Sequence, residues 1–449
     1  MAFEFTDAFI ENLQLDIQNQ NDAAITKLFK EVHYADVAEV LEEVNFEEAV
    51  YIIKLLDSEK TSDILTELDE DTREKILENL TVKEIAGEVV ELDTDDAADI
   101  IGELSEELQS KVIAALSDKD LAADLEELLS YEDNSAGALM AKELVKVYET
   151  WTVAGCMRRI RGQAKDVTRV HSIYVVDKED KLVGRLSLKD LIIAKSDQKI
   201  AEISKSKVDS VNVSEKDEGV AKIMAKYDLE AIPVVDDNNV LLGRITIDDI
   251  VDVLKEEADK DYQLAAGLTQ DVDSDDSILE LTRARLPWLF LGLIGGIGAF
   301  LIMEGFDDVF SKYAALFFFT PLIAAMAGNV GVQSSAIIVQ GLANDDVKGS
   351  INSRLLKEML LALLNGVILA IFLFLFVWAY QGRTNTALAI SVSLVAVIVV
   401  AGLVGTFVPL FLNKRGVDPA IATGPFITTS NDIFGILIYF LIAKMILGI

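Results

Sequence analysis

The chain has 449 residues, of which 75 are acidic and 40 basic, for a formal net charge of −35, yet its mean hydropathy is +0.32. Acidity on that scale argues against nucleic acid as a partner. The single cysteine, Cys156, excludes an internal disulfide and a Cys-rich zinc site, and two histidines, His33 and His171, leave no basis for a His-based transition-metal site.

Acidic soluble proteins are seldom this hydrophobic, and membrane proteins are seldom this acidic. The conflict disappears when the chain is divided near Leu286: Asp and Glu dominate before it, and long runs after it carry almost no charge. A large soluble portion therefore precedes a membrane portion. The opening "MAFEFTDAFIENLQ" has no basic start and no apolar stretch, so no signal peptide is expected and the soluble portion is expected in the cytoplasm. Its acidity serves solubility on one reading and attracts cations on the other.

Residues 1–130 read as helices throughout. Proline is absent, and "SDILTELDEDTREKILENL" puts Ile64, Leu65 and Leu68, then Ile76, Leu77 and Leu80, at helical spacing. The units "LLDSEK" at 55, "ELDEDT" at 67 and "ELDTDD" at 91 each end one helix and cap the next. Stacked short helices of this kind form an acidic superhelix.

Residues 131–248 change character. "SIYVVDKEDKLVGRLSLKDLI" at 172 and "AIPVVDDNNVLLGRITIDDIV" at 231 align without gaps. Asp177 matches Asp236 and Asp190 matches Asp249, and both differences are 59. This strand–turn–strand–helix repeat resembles a tandem pair of CBS domains, an α/β unit of which many bind an adenine nucleotide between the copies. The S/T-x-x-D units, Ser187/Asp190 and Thr246/Asp249, open a helix after a strand. Their hydroxyls can cap that helix and their carboxylates can accept from ribose hydroxyls, or the pairs are helix caps alone. The resemblance implies a nucleotide site drawn from Tyr174, Ser187, Asp190, Tyr227, Ala231, Pro233, Thr246 and Asp249. Tyr174 stands where the second copy has Pro233, so the two clefts are not expected to be equivalent.

Residues 249–285 are expected to be mainly helical and polar. "DDIVDVLKEEADKDYQLAAG" carries Ile250, Val251 and Leu254 on one side and Asp248, Asp252, Glu256 and Asp259 on another. This helix joins the soluble and membrane portions, either as a plain connector or as a gate.

Five spans of about 20 or more apolar residues follow, near 286–304, 313–341, 355–380, 386–411 and 419–446. With the soluble portion inside, odd parity puts the C-terminus outside. Arg283, Arg285, Lys348, Arg354, Lys357, Lys414 and Arg415 then fall on inner segments, and Lys312, Arg383 and Lys444 on outer ones, in agreement with the excess of basic residues on cytoplasmic loops. Spans two and five hold the polar residues: Pro321, Gly328, Asn329, Gly331, Gln333, Ser334 and Ser335 in one, and Asp418, Thr423, Thr428, Thr429, Ser430, Asn431 and Asp432 in the other. Spans three and four look lipid-facing. Asp432 falls about half a turn into its helix by this reading, where a carboxylate costs about 2.5–3.5 kcal/mol to insert. Its alternatives are a helix cap, an interhelical hydrogen bond, or a charge that draws a cation into lipid. Hydroxyls, freed carbonyls and a carboxylate make an all-oxygen site suited to a hard ion such as Mg²⁺. Two polar helices do not enclose a path alone, but a twofold dimer supplies four and brings one Asp432 from each subunit near the axis.

The order of these parts, with "LDTDDAAD" at 92–99, the CBS repeat, "GNVGVQSSA" at 328–336 and "DPAIATGPFITTSND" at 418–432, resembles the MgtE family of magnesium channels over essentially the whole chain. The resemblance implies a multidomain membrane protein: an all-α superhelical N-terminal domain (1–130), an α/β tandem CBS pair (131–248), a linking or plug helix (249–285) and an α-helical transmembrane domain of five helices (286–449). It implies a homodimeric channel that imports Mg²⁺ into the cell and closes when cytosolic Mg²⁺ bridges the acidic domains and the linking helix, with ATP tuning that closure. The expected Mg²⁺ residues are Asp432 and Asp418 in the membrane, Asp93, Asp95, Asp96 and Asp99 in the N-terminal domain, and Asp248, Asp252, Glu256, Glu257 and Asp259 on the linking helix. Gly328, Asn329, Gly424, Thr428 and Ser430 are expected to line the pore. Gly424 departs from the family, which often has a polar side chain there.

Other functions fit less well. An anion channel needs basic or helix-N-terminal donors at midplane, whereas the intramembrane charges noted here are Asp418 and Asp432. No nucleophile–base pair, P-loop or dinucleotide fingerprint marks an enzyme. A CBS-regulated transporter of another divalent cation, such as Co²⁺ or Mn²⁺, is the nearest alternative.

Overall fold

The computed structural model describes residues 6–165, 167, 169–270, 272, 276–344, 347, 349–422 and 424–448, and Lys348 and Thr423 lie outside them. The chain divides into two compact units, residues 1–255 and 256–449.

The described part of the first unit opens with ten helices: α1 (Asp7–Gln18), α2 (Asp22–Lys30), α3 (Tyr34–Glu43), α4 (Phe46–Ile53), α5 (Ser58–Glu67), α6 (Glu70–Glu78), α7 (Val82–Val89), α8 (Thr94–Gly102), α9 (Glu106–Ala115) and α10 (Lys119–Leu128). The expected caps form at two of the three repeated units. Asp57 accepts from Lys60 N and starts α5, and Asp69 accepts from Thr72 N and starts α6. The helices bury one face each, with Ile64, Leu65, Ile76 and Leu77 fully enclosed as their spacing requires.

The repeat builds two three-stranded sheets. β1 (Val145–Tyr148) pairs parallel with β2 (Ile173–Val176), which pairs antiparallel with β3 (Leu182–Leu186). α11 (Val153–Gln163) bridges the parallel pair, and α12 (Leu188–Ile193) and α13 (Ile200–Ile203) follow. The second copy repeats this with β4 (Val211–Asn212), α14 (Asp217–Tyr227), β5 (Ala231–Val235) and β6 (Leu241–Thr246). The two β-turns meet: Leu182 N donates to Asn239 O, and Leu241 N donates to Asp180 O. Asp180 and Asn239 both have φ near +60° (58° and 66°), a conformation that short polar side chains tolerate. The N-terminal superhelix and the second copy share one hydrophobic core, in which Ala136 and Met140 join Val220, Ile232 and Ile245.

α15 (Ile247–Ala266) starts straight from β6 and ends sooner than the sequence reading expects. Gly267, at φ +84°, closes it: its N–H donates to Leu264 O and that of Leu268 to Gln263 O. This double C-terminal bond is available to glycine because it has no Cβ penalty in the left-handed region. Residues 267–277 are therefore not helical where they are described.

Among its described residues the second unit contains five helices long and apolar enough to cross a membrane: α16 (Ile278–Glu304), then, after the short α17 (Asp307–Lys312), α18 (Ala314–Ala343), α19 (Ile351–Gln381), α20 (Thr384–Lys414) and α21 (Gly424–Leu447), the last preceded by a 3₁₀ turn, Pro419–Ala422. The expectation that span four faces lipid is wrong. α20 is the centre of the bundle, 56 % buried over its most apolar stretch, against 6 % for α16. Ser391, Ser393 and Thr406 of α20 are buried, and Ser393 Oγ donates to Tyr439 O. Hydropathy alone does not distinguish an apolar face that meets protein from one that meets lipid.

Candidate functional site

A cleft of about 340 Å³ opens between α18 and α21, lined by Ala324, Ala325, Gly328, Asn329, Val332, Gln333, Thr428 and Asp432. Gly328 allows the close approach. A Cβ there would meet Thr428 Cγ2 at 3.2 Å and Asp432 Oδ1 at 3.8 Å. Asp432 is the ninth residue of α21, more than two turns in rather than half a turn. A cap role is excluded on that ground, because orphan N–H groups exist only in the first turn. Thr428 Oγ1 donates to Gly424 O at 2.9 Å, so Gly424, Thr428 and Asp432, at i, i+4 and i+8, share one face of the helix.

The neighbouring polar residues do other things. Asn431 is 1 % exposed and packs on Gly331, where any Cβ would overlap its amide. Ser430 is half-buried and lies outside the cleft lining. Asp418 is exposed, and its carboxylate accepts from Ala420 N at 2.8 Å, capping the 3₁₀ turn.

Glu358 of α19 was missed by the sequence reading. It is a further carboxylate within the membrane helices, accepting from Ser334 Oγ of α18 at 2.6 Å, with Gly402 of α20 leaving it room. Its neighbours Arg354 and Lys357 gave this stretch the look of a cytoplasmic flank.

The first unit gathers a second set of acids where the N-terminal superhelix meets the CBS pair. Asp93 stands at the N-cap position of α8 but makes no cap bond; its Oδ2 is 3.5 Å from Arg244 Nη2. Glu143 takes over the cap, accepting from Thr94 N at 3.1 Å and Thr94 Oγ1 at 2.8 Å. Asp95, Asp96 and Asp249 are close enough to oppose each other's ionisation. Burial, then Asp249, pushes Asp96 up to about 7. Burial also raises Asp249, to about 6, against the hydrogen bonds from Thr246. Asp95 is raised well above the ordinary aspartate value by burial, then by Asp249 and Asp96. Asp93 is raised by burial and Glu143, while Arg244 opposes the shift. Asp99, Asp248 and Asp252 are exposed. In the second unit Glu256 and Asp259 are exposed, and Glu257 accepts from Lys260 Nζ at 3.0 Å. Among the described residues no three His, Cys, Asp or Glu side chains converge as a ready-made metal site.

Both S/T-x-x-D units fold as helix starts. Ser187 Oγ donates to Asp190 Oδ2 at 2.7 Å and accepts from Asp190 N at 3.1 Å. Thr246 N and Oγ1 both donate to Asp249 Oδ2, at 2.8 and 2.9 Å. Asp190 is held below the usual carboxylate range by the Ser187 hydroxyl and N–H, opposite to Asp249, so the copies differ electrically as well as at Tyr174 and Pro233. Tyr174 is buried, with no protein partner for its hydroxyl among the described residues. It lies over Arg185, in register with it, as Pro233 lies over Arg244. Ala231 and Pro233 are buried in β5, and Tyr227 is exposed at the end of α14.

Comparison with known proteins gives three family matches: a divalent cation transporter family, MgtE, over residues 320–442; the MgtE intracellular N domain over 32–134; and CBS domains over 136–197 and 200–256. A magnesium transporter MgtE from Enterococcus faecalis is 38 % identical over 321 residues, 71 % of each chain. One from Thermus thermophilus is 37 % identical over 325 residues, 72 % of each chain. Among solved structures, the cytosolic domain of the Mg²⁺ channel MgtE in complex with ATP matches with a TM-score of 0.51 and 33 % identity, over 54 % of this chain and 99 % of that one. The soluble part of a magnesium transporter matches with a TM-score of 0.50 and 31 % identity, over 56 % and 98 %.

Proposed function

The chain belongs to the MgtE family of divalent cation transporters, and from that premise we propose that it is a homodimeric, Mg²⁺-selective channel of the cell membrane, importing Mg²⁺ down its electrochemical gradient. The observation that carries this reading is Asp432, a carboxylate two turns inside a membrane helix, facing a cleft with Thr428, Gly328 and Asn329. Mg²⁺ sheds water reluctantly, so the carboxylate and the neutral oxygens hold the ion through its water shell. Two Asp432 side chains facing each other across a twofold axis repel when bare, and a divalent ion relieves that repulsion. The N-terminus is cytoplasmic and the C-terminus outside, in keeping with the basic inner segments.

Cytosolic Mg²⁺ closes the channel. At the junction of superhelix and CBS pair, Asp93, Asp95, Asp96, Asp248 and Asp249 carry more charge than one arginine offsets. Divalent ions neutralise them, with Asp99, Asp252, Glu256, Glu257 and Asp259 supplying further carboxylates. An adenine nucleotide between the CBS copies tunes this balance, because Asp249 belongs both to the nucleotide cleft and to the acid cluster.

Mg²⁺ flux into liposomes containing the purified protein tests the reading. Asp432→Ala is expected to lose flux by at least about tenfold while the dimer persists, and normal flux through that variant would sink the pore assignment. Co²⁺ or Mn²⁺ flux that outpaces Mg²⁺ in the parent would favour the alternative cargo.

A further inference from the structure

The segment that follows α15 is fastened to the membrane helices at several points. Gly424, at φ +50°, starts α21 against the carbonyl of Ala265, and a Cβ at 424 would overlap that oxygen. Gly267, at φ +84°, packs on the Pro425 ring, and a Cβ there would meet Pro425 Cδ at 2.9 Å and overlap Cγ. Thr269 donates to Ala284 O of α16 from both its N–H and its hydroxyl, each at 3.1 Å. Gln263 exchanges two hydrogen bonds with the backbone of Val272, both at 3.2 Å, closing the loop on itself. The double bond that ends α15 uses the carbonyls of Gln263 and Leu264 and leaves that of Ala265 directed at α21. A helix C-terminus, the negative end of its dipole, thus meets the positive N-terminal end of another.

A loop that only covered a pore mouth would need none of this. Interlocked backbones, each requiring glycine, do not slide: a shift of either one drives carbonyl or ring atoms together. The joined face is also the functional one, since Gly424 leads through its hydrogen bond to Thr428 and then to Asp432.

We propose that Gly267 and Gly424 are positioning residues that fasten the linking segment to the pore helix as a permanent joint, so that the first turns of α21, with Thr428 and Asp432, move with the segment rather than being uncovered by it. The absence of a side chain at 424 is then a gain: the Ala265 carbonyl takes that place. This rests on the proposed reading that cytosolic Mg²⁺ closes the channel through carboxylates that include those of α15. It differs from a withdrawn plug in that the contact survives in both states.

The test is Gly267→Cys combined with Pro425→Cys in the full-length protein, whose own Cys156 is buried. A Cβ at 267 lies 3.7 Å from Pro425 Cβ, within disulfide range, and replacing the proline removes the ring atoms in the way. The rate of disulfide formation is expected to agree within about twofold with and without Mg²⁺, and the oxidised channel is expected to conduct and still close. A rate that changes by about tenfold or more with Mg²⁺, or flux lost on oxidation and restored by reductant, overturns the joint. Gly424→Ala provides a second measurement that needs no cysteines. It is expected to raise the Mg²⁺ concentration for half-closure by about tenfold; an unmoved midpoint overturns the role of Gly424. A parent that conducts but never closes with Mg²⁺ refutes the gating reading instead, and the Mg²⁺ dependence of the crosslinking rate still decides the joint.

Discussion

Asp93 Oδ2 lies 3.5 Å from Arg244 Nη2 at a position where its carboxylate has every local reason to turn back and cap α8. Its counterparts Asp57 and Asp69 do cap. The difference is that Glu143 already occupies the helix end through Thr94. Two carboxylates on one helix terminus repel, and the displaced one takes the arginine. Arg244 is almost enclosed, with 7 % of its side chain exposed, so it is a fixed countercharge within an acidic junction.

Removing that countercharge is expected to make the junction depend on divalent ions. Arg244→Ala should destabilise the Mg²⁺-free protein by about 2 kcal/mol, the scale of a lost hydrogen bond between charged groups. Saturating Mg²⁺ should recover much of the loss. Thermal melts of parent and variant, with and without Mg²⁺, read both quantities, and a variant whose deficit is the same in either buffer would show that Mg²⁺ does not act here.

Protons should substitute for Mg²⁺ at the same place. Asp96 titrates near 7 and Asp249 near 6 in the folded chain, both above the unfolded value of about 3.9. A raised carboxylate pKa means that the fold favours the protonated form. Its contribution to stability is fully present below the unfolded pKa and is lost as pH rises through the folded one. The Mg²⁺-free melting temperature should therefore fall from about pH 4 to about pH 7 and level off above, and the increment due to Mg²⁺ should grow as pH rises through the folded values near 6 and 7. Parallel pH profiles with and without Mg²⁺ would refute competition for these carboxylates.

Gating is expected to need carboxylates from both the superhelix and the linking helix. Neutralising Asp95, Asp99, Glu256 and Asp259 together should leave a channel that conducts at internal Mg²⁺ levels that silence the parent, with the midpoint raised by about tenfold or more. Patch recordings at stepped internal Mg²⁺ measure this. If the quadruple variant keeps the parent's dose dependence, those four residues are solvated surface and nothing more.

Asp249→Ala is expected to weaken binding of an adenine nucleotide by about tenfold, the cost of one charge-assisted hydrogen bond, whereas Asp190→Ala should differ in size because the first cleft carries Tyr174 in place of proline. Titration calorimetry of the two variants separates the sites. No binding to the parent with either ATP or AMP would retire the nucleotide reading.

What the sequence discloses and what it conceals have physical causes. The CBS repeat is legible because turns, strands and helix starts recur at constant spacing, and Asp180 and Asn239 occupy equivalent turns with equivalent backbones. Asp432 is legible because a carboxylate among apolar residues has few structural excuses. Glu358 is not, because Arg354 and Lys357 beside it look like the end of a span, and only the fold brings Ser334 to it. Asp93 is concealed by its own motif: a cap pattern reads the same whether or not the carboxylate caps. The linking helix was read too long because a lone glycine within a polar helical pattern is tolerated often enough, and the bonds that make Gly267 a terminus are visible only in three dimensions.

The pairing of Ser334 with Glu358 also bears on how the protein is made. The hydroxyl precedes the carboxylate by 24 residues, so Ser334 is translated before Glu358. The same order holds for Tyr439, whose hydroxyl donates to Leu316 O and whose carbonyl accepts from Ser393 Oγ; both partners are translated first. In each pair the later-made residue, Glu358 or Tyr439, meets a partner translated before it.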